Sequence, residues 1–245
     1  MNTTLLHVCC APCSTVPFQL FSENEESFSA FFYNPNIQPA EEYERRLTCL
    51  RSFAHDRGVE LKEGAYDPEA WDTAIGECAG IVPLIKDDPS YEENLALRKA
   101  RCRACYALRF ERLAACAVQH GFSSIATTLS ISPYQFTDIM ADELLAAAKR
   151  EGVLSGFVDY HKRYPVSVKR AREFGLYRQN YCGCRYSKTE AEQERAARKI
   201  ARKATQKAAQ KHSHAPTQNR AARKTAQTRA ASPVDSSSVN TAEAQ

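Results

Sequence analysis

The sequence predicts an α/β protein with a Rossmann-like parallel sheet, helices on both faces and a disordered basic C-terminal tail. Three observations support this. Short apolar runs rich in Phe, Leu, Ile and Thr alternate with longer stretches of helical period, the signature of a parallel sheet covered on both sides. Each apolar run also gives way to a turn built from Cys, Pro, Asn or Ser, which is how sheet strands deliver functional loops at one edge. The composition then changes after Ser187, where large apolar side chains thin out.

Taken in order, residues 5–10 read as the first strand, and Ser14 is placed to cap a helix carrying Val16, Phe18, Leu20 and Phe21. Residues 27–33 form the second strand, stopped by the turn Asn34-Pro35-Asn36. Residues 40–57 put Tyr43, Leu47, Leu50 and Phe53 on one helical face, and Gly58 ends them. Residues 59–66 are the third strand. Pro68 opens a short helix through Trp71 and Ile75, and an irregular stretch with Pro83 and Pro89 follows. Residues 91–120 read as a long helical region interrupted near 101–105. Residues 124–130 are a fourth strand, and helices over 133–150 and 167–174 complete the folded part.

The chain has 245 residues and 43% hydrophobic content, enough for one core of roughly 150 to 200 residues. No apolar run approaches the ~18 residues of a membrane span and no secretion leader begins the chain, so a cytoplasmic protein without membrane partners is expected. Ten cysteines in a reducing compartment point to metal, cluster or redox use rather than to a disulfide scaffold. From Thr189 onward 11 Lys and Arg face 5 Asp and Glu, whereas residues 1–188 carry 22 against 24. The basic charge therefore sits in the tail. Residues 190–211 can become helical and 213–245 are expected to be disordered. This tail serves either as a solvated extension or as an arm that strengthens RNA binding by counterion release.

Three thiol groups carry the chemistry. Cys9, Cys10 and Cys13 crowd the end of the first strand, a dense soft-ligand cluster where α/β sheets place their sites. Read alone, Cys9 and Cys10 could equally be small buried hydrophobes. Cys102 and Cys105 stand three apart, on one helical face about a turn from each other, among Arg98, Arg101, Arg103 and Arg109. With Cys9 and Cys10 they make four thiolates, the set that a [4Fe-4S] cluster or a structural zinc takes. An adjacent Cys-Cys pair suits the zinc knuckle less well. Cys182-Gly183-Cys184 would close a small strained disulfide, easily reduced and so suited to a reversible electron relay; two unrelated thiols or further metal ligands are the alternatives. Cys49, Cys78 and Cys116 read as packing residues. Cys13 stays open between a spare thiol, a ligand to a second metal and a cluster ligand.

Cys-Cys-Ala-Pro-Cys-Ser at 9–14, Phe-Tyr-Asn-Pro-Asn-Ile at 32–37, the Cys102/Cys105 pair, Thr-Thr-Leu-Ser-Ile-Ser-Pro-Tyr-Gln at 127–135 and Tyr-Arg-Gln-Asn-Tyr-Cys-Gly-Cys at 177–184 together resemble the epoxyqueuosine reductases of the QueH type, over residues 5–188. The resemblance implies an adenine-nucleotide-hydrolase-like fold and a cobalamin-independent oxidoreductase that reduces epoxyqueuosine at the tRNA wobble position to queuosine. It implies that Cys9, Cys10, Cys102 and Cys105 hold a [4Fe-4S] cluster, that Cys182 and Cys184 form the redox-active pair, and that an additional iron is an option with Cys13 or the Cys182/Cys184 pair as its ligands. A catalytic iron–sulfur domain would then span 1–188 and the tail 189–245.

Asn34, Asn36, Tyr134 and Gln135, near strand ends, are candidates for holding the modified base, and Tyr177 and Tyr181 for stacking on it. Phosphate contacts are expected from Arg98 to Arg109, Lys162-Arg163 and Lys169 to Arg172. The partners implied are tRNA carrying epoxyqueuosine and an electron donor that the sequence does not identify, as it leaves the oligomeric state open. Two alternatives differ in the chemistry they require. A PP-loop-like sulfur transferase would need a glycine-rich phosphate loop where this chain has Cys-Cys-Ala-Pro-Cys-Ser. A zinc-stabilised RNA-binding module would be colourless.

Overall fold

A computed structural model describes residues 3–213. Five strands, β1 (Thr3–His7), β2 (Ser27–Phe32), β3 (Leu61–Glu63), β4 (Ser124–Thr127) and β5 (Leu154–Ser155), form one all-parallel sheet in the order β3-β2-β1-β4-β5. The helices are α1 (Ala11–Glu23), α2 (Ala40–Asp56), α3 (Pro68–Ile75), α4 (Tyr91–Gln119), α5 (Thr137–Glu151), α6 (Tyr164–Glu173) and α7 (Arg185–Ser213).

Alternation along the strands sorts the core into two layers. Leu5, Phe31 and Ile125 pack with Phe110 and Leu113 of α4 and Met140 and Leu144 of α5, whereas Leu6, Ala30, Phe32 and Ala126 pack with Phe18 of α1 and Leu47 and Leu50 of α2. Successive side chains of a strand point to opposite faces, so each central strand feeds both layers, and each fully buried Leu or Phe contributes about 1.5–3 kcal/mol. Helices therefore cover both faces, as the pattern predicts. Strand order reverses direction at β1, so the crevice beyond the carboxyl ends of β1 and β4 is the topological switch point where α/β sheets bind ligands.

Several boundaries differ from the sequence reading. β1 ends at His7, and the chain beyond it leaves the sheet, with Cys10 extended as the residue preceding α1 and Pro12 in its first turn, where a missing N–H costs nothing. Ser14 is therefore inside the helix rather than its cap, and its Oγ donates to Cys10 O at 3.0 Å. Helix α4 is continuous through residues 101–105, because the buried Arg101 finds partners there instead of breaking the turn. β3 and β4 are shorter than expected, and β4 passes into a 3-10 turn at Leu129–Ile131. β5, two residues between Gly152 and Gly156, is too short to leave a period in the sequence.

The contacts divide the chain into two units, residues 1–198 and 199–245. The second is described only as far as Ser213 and is helical there. The disorder expected for 213–245 lies, Ser213 apart, outside the described residues.

Candidate thiol centre

The turn after β1 and the first turn of α1 bring three sulfurs together. Cys9, Cys10 and Cys13 have their Sγ atoms within 4.8 Å of one another, a trio able to hold a metal ion, with Cys9 and Cys10 Sγ 3.7 Å apart. Among the described residues this is the group of Cys, His and acidic ligands so arranged, and it includes Cys13. Hydrogen bonds from the Cys13 and Cys9 thiols hold Cys10 well below the ordinary thiol range. The same bonds, with burial, push Cys9 and Cys13 up. Cys10 is thus the sulfur of the trio most readily deprotonated, and the thiolate is the form that binds a metal.

Gln179 reaches this trio from the segment between α6 and α7, donating from Nε2 to Cys10 Sγ at 3.0 Å. Its Oε1 is buried without a partner.

The second thiol group lies on α4. Cys105 is buried in a small cluster with Cys184, Trp71 and Ile75, and Cys102 packs against the layer that contains Cys9 and Cys10. Burial raises Cys102 and Cys105, and the Cys182 sulfur is the next contribution for Cys102. Both thiols of α4 therefore lie in the neighbourhood of Cys182, Cys105 also packs with Cys184, and all ten cysteines are free thiols.

The Cys182-Gly183-Cys184 segment is fixed from behind by Arg46, which is 1% exposed. Its guanidinium is paired with Glu42 at 2.7 Å and donates to Cys182 O at 2.8 Å. Gly183 adopts φ +130, and a Cβ there would stand 2.9 Å from Arg46 Nη1 and 3.0 Å from Ile37 Cγ1. Only glycine accepts both conditions, so its freedom serves the close approach of Arg46. Burial pushes the Cys184 thiol up to about 12.

Arg109 connects the groups. It is 1% exposed, donates from Nη1 to Cys105 Sγ at 3.9 Å, and lies near enough to Cys182 and Cys9 for their charge to raise it further.

Asn34 and Asn36 are both 1% exposed, which changes what they can do. Asn34 donates to Val8 O at 2.9 Å and accepts from Arg109, so it builds part of the site's frame. Asn36 Oδ1 is buried and unpartnered, an acceptor still free for a ligand. Tyr134 is 72% exposed and meets Tyr164 edge to face at 6.5 Å, and Tyr164 is close to both Cys13 and Arg178. Gln135 is oriented by Tyr106, whose hydroxyl donates to its Oε1 at 2.7 Å.

One expectation about RNA contacts is corrected. Arg98 and Arg101 are paired with Glu190 and Glu194, and Arg109 is buried, so these three side chains are unavailable to phosphates; Arg103 is tied to Glu143. The rings of Tyr177 and Tyr181 already carry Arg45 and Arg46 over one face. Sequence reasoning also missed Gln179 and Tyr164. Both occur in polar stretches whose role appears only when α6 and its following loop fold back beside α1.

The family model described as "Epoxyqueuosine reductase QueH" matches residues 4–190. The chain is 34% identical over 188 residues to the "Epoxyqueuosine reductase QueH" of Dehalococcoides mccartyi, covering 76% of this chain and 92% of that one. It is 33% identical over 201 residues to the protein of the same name from Thermotoga maritima, covering 80% and 95%. Among solved structures, a "predicted subunit of tRNA methyltransferase" from Methanocaldococcus jannaschii superposes with a TM-score of 0.43 at 12% identity, over 69% of this chain and 75% of that one.

Proposed function

The chain belongs to the epoxyqueuosine reductase QueH family, and we propose that it reduces the epoxide of epoxyqueuosine at the tRNA wobble position to give queuosine. The observation that carries this reading is the trio Cys9, Cys10 and Cys13 within 4.8 Å at the switch point of the sheet. No helix among the described residues is long and apolar enough to cross a membrane.

Cys9, Cys10, Cys102 and Cys105 would hold a [4Fe-4S] cluster, and Cys13 is the candidate ligand for an additional iron. The donor set fits such a group, since the thiols are free and soft, and a centre with four thiolates is anionic and meets buried guanidinium charge from Arg109 and Arg46. When bound, the cluster supplies single electrons.

The chain's own residues account for the rest of the balance. Removing the epoxide oxygen as water takes two electrons and two protons. Oxidation of the Cys182/Cys184 dithiol to a disulfide releases both, and an external donor, as yet unidentified, restores the dithiol. The Cys184 thiol, pushed up to about 12, keeps its proton until the electrons leave. Tyr134 and Tyr164 offer rings for the extruded base, Gln135 is held ready by Tyr106, and Asn36 supplies the buried acceptor. Phosphates are met by Lys162, Arg163 and the exposed side chains of 169–172. The catalytic domain extends past residue 188 to include Glu190 and Glu194, which tie α7 to α4, and the basic stretch beyond residue 198 adds affinity for RNA without entering the chemistry.

The test is to assemble the protein anaerobically with iron and sulfide, incubate it with epoxyqueuosine-containing tRNA and a chemical reductant, and identify the nucleosides by mass. Appearance of queuosine supports the proposal. An iron-loaded protein that leaves the epoxide untouched, or one that takes only zinc, overturns it.

A further inference from the structure

Arg109 differs from the other buried arginines of the molecule, Arg46 and Arg101, and from their half-buried neighbour Arg98. Arg46 is paired with Glu42, Arg101 with Glu190, and Arg98 with Glu190 and Glu194. Arg109, equally buried, has no carboxylate within ion-pair distance among the described residues. Its protein partners are the neutral amide oxygen of Asn34 and the sulfur of Cys105, and its Nε has no hydrogen-bond partner among the described residues. A buried guanidinium without an anion is costly, and the chain keeps it. The groups around it that can become anionic are thiols from three separate segments, Cys9 after β1, Cys105 on α4 and Cys182 before α7.

We propose that Arg109 is a positioning residue whose fixed positive charge is the counterion of the thiolate centre and sets that centre's reduction potential. The proposal rests on the cluster reading above. A fixed cation in a site shielded from water stabilises whichever state of the centre carries more negative charge, which is the reduced one, and so raises the potential. Asn34 fixes where that charge sits. It accepts from Arg109 Nη2 and donates to Val8 O, the carbonyl next to Cys9, so the guanidinium is tied at one end to the Cys9 turn and at the other to Cys105 on its own helix.

The experiment compares wild type, Arg109→Lys and Arg109→Gln after anaerobic assembly, reading iron and sulfide content and then the midpoint potential by redox titration followed by electron paramagnetic resonance, with circular dichroism to confirm folding. Lysine keeps the charge and loses the fork; glutamine keeps polarity and loses the charge. The expected result is a midpoint shifted to more negative values in Arg109→Gln and close to wild type in Arg109→Lys. Loss of iron by the Gln variant with retention by the Lys variant supports the counterion role equally. An unchanged midpoint in a fully loaded Gln variant overturns it while leaving the cluster reading in place. Equal loss of iron by both variants also overturns it, because geometry rather than charge would then be what matters. If wild type itself assembles no iron–sulfur centre, the cluster reading fails first and the role of Arg109 falls with it.

Discussion

Arg109 Nη2 donates to Asn34 Oδ1 at 2.5 Å, and Asn34 donates from its amide nitrogen to Val8 O at 2.9 Å. One side chain from the end of β2 therefore joins the turn carrying Cys9 to the helix carrying Cys105.

Replacing Asn34 with alanine strands both partners in a site where neither reaches water. Each group left unsatisfied costs about 1–3 kcal/mol, and more for a charge, so Asn34→Ala is expected to lower the urea midpoint clearly. A variant as stable as wild type would mean that Asn34 serves the ligand and not the frame.

Helix α7 is clamped to α4 by Glu190, which accepts two bonds from Arg101 Nη2 at 2.8 and 2.9 Å and one from Val82 N at 2.9 Å. Removing one partner of a buried ion pair costs about 3–5 kcal/mol, the range expected for Glu190→Ala. A chain ending at residue 188 loses this clamp and the Glu194 contacts with Arg98 and Leu84 N, whereas one ending at residue 213 keeps both. Equilibrium unfolding should place the shorter chain well below wild type and the longer one level with it.

Gly183→Ala meets two penalties. Positive φ costs a residue with a Cβ about 1–3 kcal/mol, and the Cβ collides with Arg46. The damage is local to the Cys182/Cys184 segment, so iron content is expected to stay normal while multiple turnover falls. Equal loss of iron would show that this segment belongs to the metal site itself.

Cys182→Ser separates storage of electrons from metal binding. The variant is expected to retain iron and sulfide and to lose steady-state turnover. Unchanged turnover would remove the dithiol from the reaction.

The fold was largely legible because the parallel sheet leaves a repeated signal of apolar runs and turns, from residues 5–10 to 124–130. Ends of elements were less so. Cys9 and Cys10 belong to a turn because Pro12 opens α1, and a pattern of apolar residues does not register where a strand hands over to a helix. The three thiol groups were visible because cysteines at such spacings are rare. Their neighbours were not: Asn34 resembles any turn asparagine, and Arg109 resembles one more cation in a basic run until burial removes it from solvent. Gln179 and Tyr164 depend on contacts across more than a hundred residues, which no local spacing reports.

In the proposed reaction the thiols at the sheet edge deliver the electrons that remove the epoxide oxygen. The most direct test uses iron-loaded protein that has been reduced and then freed of reductant, mixed anaerobically with excess epoxyqueuosine-tRNA, with queuosine counted by mass and the Cys182/Cys184 peptide mapped after quenching. Queuosine in an amount stoichiometric with the chain and a disulfide between Cys182 and Cys184 are the expected result. Queuosine formed with both thiols still free, or none formed by the loaded protein, would contradict it.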